Sequence, residues 1–249
     1  MIELNEGGIT IFIVVASLAV VQSLFGIGLL VFGTPTLLLL GHSFADTLAI
    51  LLPASLTISL LQVWKRPPID RMFVGQFVIW CLFPLAIALA MVLTFQLQVG
   101  LNLIVGLVLA TFVMLRVIPY ANNKTRIWIS NHQQLCLLIM GIVHGFSNLG
   151  GGLLTILAAS RYREKERIRA LIALCYSFFA FSQLGVLAIL SPNVFNWEQL
   201  VFAATSAVVF MTIGQRLLEW ISAPIFDRLF AAVMAGYAGL LIGRALGYF

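Results

Sequence analysis

QSLFGIGLL at Gln22–Leu30 and FSNLGGGLL at Phe146–Leu154 each interrupt a long apolar run with glycine. A helix that stops inside hydrocarbon leaves backbone N–H and C=O groups unpaired, and lipid offers them no partner. Such a break persists only where it faces protein, water or a ligand. Two breaks at matching places in two halves of one chain are the pattern of a binding site built from interrupted membrane helices.

Composition agrees with a membrane reading. The 249 residues are 61% hydrophobic and 9% charged, with a mean hydropathy of +1.07. A soluble domain carries about 25% charged residues, so no soluble domain is expected. The N-terminal stretch is acidic (Glu3, Glu6) and lacks the basic start of a signal peptide, so it is expected to be retained. Cys81, Cys136 and Cys175 stand alone in apolar stretches and suit packing, not a disulfide or metal framework. The net charge of +5 comes from loops between spans and does not point to nucleic acid. No cofactor is expected.

Apolar segments run over 9–40, 45–64, 72–95, 98–118, 133–159, 169–190, 198–217 and 221–247, four in each half. The halves are 1–118 and 133–249, joined by the polar linker 119–132. Leu52–Leu56 loosely repeats as Leu174–Phe178, and Gln76–Val78 as Gln199–Val201, at nearly one offset; this favours duplication.

Basic residues cluster at Lys65, Arg66 and Arg71; at Arg116, Lys124 and Arg126; from Arg161 to Arg169; and at Arg216 and Arg228. If every segment crossed the bilayer, these would split about evenly between faces. If 133–159 enters and returns on one side, nearly all become cytoplasmic, as Lys and Arg prefer. Repeat symmetry extends the same device to 9–40. The expected fold is an all-α integral membrane protein of two inverted repeats, each a broken, re-entrant helical hairpin plus three transmembrane helices. The linker 119–132 and the loop 160–168 are expected in the cytoplasm. Arms of about 13–17 residues at 1.5 Å each bring both hairpin tips to mid-depth.

At each tip a half-helix begins inside the membrane, near Gly28 and near Gly152. Its first N–H groups lack intrahelical acceptors and carry partial positive charge, so converging ends suit an anion without a buried Lys or Arg. Glycine permits the turn and a close approach of backbone to ligand; Gly26, Gly28, Gly150, Gly151 and Gly152 are the candidates. Gln22, Ser23, Ser147 and Asn148 flank the turns as side-chain donors. Ser55, Thr57, Ser177 and Gln183 on the following helices are further candidates. Pro35, Pro53 and Pro84 read as kinks, and His144 as a packed neutral imidazole. Trp64, Trp128, Trp197 and Trp220 read as interfacial anchors.

Gly26–Pro35 (GIGLLVFGTP), Gly145–Leu154 (GFSNLGGGLL) and Arg167–Ala170 (RIRA) resemble the TauE/SafE family of membrane exporters, a likeness that covers nearly the whole chain. The resemblance implies export of sulfite, sulfoacetate or a related organosulfonate across the cytoplasmic (inner) membrane. The partners it implies are a small anionic substrate and the lipid bilayer. A homodimer is expected only from the general frequency of symmetric oligomers. The chain lacks a Walker motif, which argues against direct ATP hydrolysis. Its membrane-proximal acids, Asp46, Glu198, Glu219 and Asp227, lie near segment ends, where none is a buried proton carrier. Two rival readings use the same residues: a passive anion channel, and an intramembrane hydrolase with Ser147 as nucleophile and His144 as base.

Overall fold

The computed structural model describes residues 6–64, 70–95, 98–117, 123–214 and 223–248. Lys65, Arg66, Arg216, Glu219 and Trp220 lie outside these ranges. The described residues form helices joined by short turns, without strands. In chain order these are α1 (Glu6–Phe25), α2 (Leu29–Leu39), α3 (Phe44–Val63), α4 (Arg71–Thr94), α5 (Gln98–Val117) and α6 (Asn123–Asn131). They continue as α7 (Gln133–Ser147), α8 (Gly151–Arg161), α9 (Lys165–Leu190), α10 (Glu198–Val209) and α11 (Ala223–Ala245). Among them α3, α4 and α9 are long and apolar enough to cross a membrane. The polar linker 119–132 holds a nine-residue helix, α6, in place of irregular chain.

Both glycine breaks reverse the chain. A Cβ placed on Gly33 would lie 3.3 Å from Leu18 Cδ1, and one on Gly28 would lie 3.1 Å from the Gln22 nitrogen, so α2 returns along α1. In the second half, Arg161 Nη1 donates to Gln133 Oε1 at 2.9 Å, joining the last residue of α8 to the first of α7. Arg161 also pairs with Asp70 at 3.1 Å and lies over the Phe73 ring; Gln133 bonds Gln76. The mouth of the second reversal is thereby fastened to the start of α4. The arms are less even than the sequence suggests. α1 has 20 residues and α2 has 11, or about 30 and 16 Å at 1.5 Å per residue.

Small residues set the close contacts. Gly141 and Gly145, one turn apart on α7, face backbone of α4: a Cβ on Gly141 would overlap the Cys81 carbonyl oxygen, and one on Gly145 would sit 2.5 Å from that of Leu85. Helices this close need small residues at the seam, the usual membrane-helix solution. Pro84 follows a π turn at Val78–Leu82, which absorbs the backbone bond proline cannot make. α3 packs against α2, α9 and α10, and α11 against α5. Trp64, Trp128 and Trp197 are exposed.

Candidate functional site

The first break begins where α1 runs out. Gly26 (φ +73°) and Gly28 (φ +151°) turn the chain in conformations that favour glycine. The Gln22 carbonyl keeps its helical partner, the Gly26 N–H at 2.8 Å, while the carbonyls after it run out of helix, and other helices supply donors. Gln62 Nε2 donates to the Gln22 and Ser23 carbonyls at 3.3 and 3.2 Å, and Arg169 Nη2 donates to the Ser23 carbonyl at 3.2 Å. The fully buried Gln22 reaches Ser55 Oγ at 3.0 Å, the Ser55 carbonyl at 3.1 Å and Ser59 Oγ at 3.3 Å. Gln22 and Ser55, both candidates from sequence, are therefore partners of one another.

The second break turns on Asn148, which takes the left-handed conformation (φ 60°). Its Nδ2 donates to Thr34 Oγ1 on α2 at 2.9 Å, and its Oδ1 accepts from Gln183 Nε2 on α9 at 3.3 Å. Asn148 so ties the second break to the first hairpin. The Gly150 N–H donates to His144 Nδ1 at 2.9 Å. That bond fixes the neutral tautomer with its hydrogen on Nε2. The ring stacks on Phe179 at 4.0 Å between centroids, as a packed imidazole would. Gly151 opens α8 beneath the Tyr176 hydroxyl, and Gly152 lies against the Phe112 ring. Neither α2 nor α8 has a side-chain cap on its first turn.

α9 brings the two breaks together. Ile172 Cγ2 lies 3.1 Å from the Cβ position of Gly26, while Tyr176, one turn later, covers Gly151. Four residues at 1.5 Å each place these two contacts about 6 Å apart along the helix. Arg169, Ile172, Tyr176, Phe179 and Gln183 form one stripe at helical spacing. Arg169 caps the first break, and Gln183 holds the second.

Several hydroxyls proposed from sequence as donors are turned elsewhere. Ser23, Ser147, Thr57 and Ser177 donate to carbonyls four residues earlier, at 2.6, 2.6, 2.8 and 3.0 Å. Inside an apolar bundle that carbonyl is the nearest acceptor. Ser147 Oγ also accepts from the Leu149 N–H, and His144 Nδ1 accepts from Gly150 rather than from Ser147. No group of His, Cys, Asp and Glu among the described residues could hold a metal. Sequence reasoning passed over Thr34, Gln62, Arg169 and Tyr176; helical spacing puts the last two on one face of α9, but not that two distant turns meet that face. A cavity of about 160 Å³ at the far end of α2, lined by His42, Asn102 and Arg244 among others, is remote from both breaks.

A family model described as Sulfite exporter TauE/SafE matches residues 11–241, a span that includes both breaks and all of α9. The chain belongs to the TauE/SafE family. No curated protein and no solved structure matches it. Membership in TauE/SafE implies a membrane exporter of sulfite or a related sulfur anion, in keeping with the apolar helices α3, α4 and α9.

Proposed function

We propose that this TauE/SafE protein is a secondary transporter. It exports sulfite, sulfoacetate or a related organosulfonate across the cytoplasmic membrane and holds the anion between the two glycine breaks. The observation that carries this reading is the pair of contacts on α9, Ile172 with Gly26 and Tyr176 with Gly151. The turn before α2 and the start of α8 so meet α9 about one helical turn apart along that helix, and neither α2 nor α8 has a side-chain cap. Bare N–H groups at converging helix starts favour negative charge. They also leave it uncommitted to a salt bridge, which suits a guest that must depart.

The topology follows the positive-inside rule. The bond from Arg161 to Gln133 and the pair with Asp70 support an entry and exit on one face for 133–161, the face that also carries the start of α4. The second hairpin then enters from the cytoplasm and the first from outside, which makes the halves inverted repeats. Alternating access comes from movement of the hairpin-bearing unit against the remaining helices.

The test uses purified protein and proteoliposomes. In a thermal-shift panel of sulfite, sulfoacetate, taurine, sulfate and chloride, an anion at a hundred times its Kd stabilises the protein by about 2.7 kcal/mol. The same anion trapped inside vesicles accelerates uptake of labelled anion by counterflow. Stabilisation by no sulfur anion overturns the substrate class, and conduction without counterflow replaces the transporter by a channel.

A further inference from the structure

We propose that Tyr176 is a direct ligand of the transported anion, its phenolic O–H donating to the guest at the start of α8. The inference rests on the reading above and adds to it a side-chain contact at the second break. Tyr176 is fully buried, and its hydroxyl has no hydrogen-bond partner among the described residues. It stands over Gly151, the first residue of α8, so close that any side chain there would overlap it. α8 has eleven residues and no side-chain cap at this end.

Packing alone does not account for the hydroxyl. The ring fills its place by contact with His144 and Phe179, with centroids 6.5 and 6.0 Å away, and a phenylalanine ring fills the same space. A buried hydroxyl without a partner is a cost that a fold normally avoids. Its position at the end of a helix that presents N–H groups supplies the missing partner. An oxyanion there accepts from the amides and from the phenol together. The neighbouring groups fit this division of roles. The Gly150 N–H is taken by His144 Nδ1 and the Gly152 N–H by the Leu149 carbonyl, so the remaining amides of the first turn of α8, the Tyr176 hydroxyl and the unpartnered His144 Nε2–H are the donors left on this side. Gln62 and Arg169 serve carbonyls of α1 at the other break.

Tyr176→Phe removes the O–H and little else. With sulfite and sulfoacetate titrated under anaerobic conditions, the variant is expected to melt at or above the wild-type temperature without anion, because the hydroxyl it loses has no partner. Its Kd for the anion that binds the wild type rises about tenfold, as expected for one lost hydrogen bond to a charged group. Gly151→Leu, run beside it, is expected to abolish binding altogether. Unchanged affinity in Tyr176→Phe with loss in Gly151→Leu overturns the role of Tyr176 and leaves the site standing. Wild-type affinity in both variants removes the site itself. Should the phenylalanine variant not fold, 3-fluorotyrosine at position 176 in the otherwise native chain decides the same point. Its ¹⁹F resonance moves on saturation with the bound anion if the hydroxyl is a ligand, and an unmoved resonance overturns the proposal.

Discussion

Gly151→Ala is the smallest change that tests whether the start of α8 is packed as tightly as the structure has it. The new Cβ would overlap Tyr176 Oη and would lie 2.9 Å from Cζ and 3.3 Å from Cε2. Ordinary carbon–carbon contacts lie at about 3.5–4.0 Å, so the phenol must retreat by more than half an ångström even after its oxygen has been cleared. It has little room to do so, because the ring is fully buried and bounded by His144 and Phe179. Overpacking of this kind costs about 1–3 kcal/mol, read as a lower melting temperature of the purified protein in one detergent. Tyr176→Phe in the same chain removes the overlapping oxygen but not the 2.9 Å contact, so it restores part of the loss. A double-mutant cycle is expected to give a coupling of about 0.5–3 kcal/mol. A Gly151→Ala protein as stable as the wild type, or a coupling of zero, refutes the placement of Tyr176 over α8.

Three further outcomes are expected. With Cys81, Cys136 and Cys175 replaced, single cysteines at 133 and 161 react with an impermeant maleimide from the same face of the membrane, and cysteines at both positions cross-link; labelling from opposite faces removes the second hairpin. Asn148→Gly keeps the left-handed turn and loses the bonds to Thr34 and Gln183, for about 1–3 kcal/mol, whereas Asn148→Val adds about 1–2 kcal/mol of backbone strain. Melting temperatures therefore fall in the order wild type, Gly, Val, and a valine variant matching the glycine one refutes the φ of 60°. Gln22→Leu strips α3 of the amide shared by Ser55 and Ser59 and costs about 1–3 kcal/mol; a melting temperature equal to wild type shows that this network contributes nothing.

The breaks are legible in the sequence because glycine in a membrane segment has few meanings, and three in succession at Gly150–Gly152 are harder to read as an ordinary helix seam than one. The family can be read from the same residues. Donors are harder to judge. A sequence displays every hydroxyl and amide near a turn, but not which acceptor lies closest, so Ser23 and Ser147 read as available when each is bonded to its own helix. Gln22 and Ser55 belong to one group of candidates, yet the two consume each other's hydrogen bonds. The contribution of α9 is hidden for a different reason. Arg169 belongs by composition to a solvated basic loop, and Tyr176 to an apolar run; only the tertiary approach of two distant turns gives either a role. The uneven lengths of α1 and α2 are likewise set by where Gly28 lets the chain fold back, not by the extent of the hydrophobic run.

Arg169, Ile172, Tyr176 and Gln183 share one rigid rod, and this links the fates of both turns. A twist of that rod of some tens of degrees would draw the guanidinium away from the Ser23 carbonyl and sweep the phenol off Gly151 in the same stroke. Neither entrance could loosen while the other stayed clamped by the same spindle. A stiff helix therefore couples the two turns, and only a bend between Arg169 and Gln183 would let one loosen while the other holds.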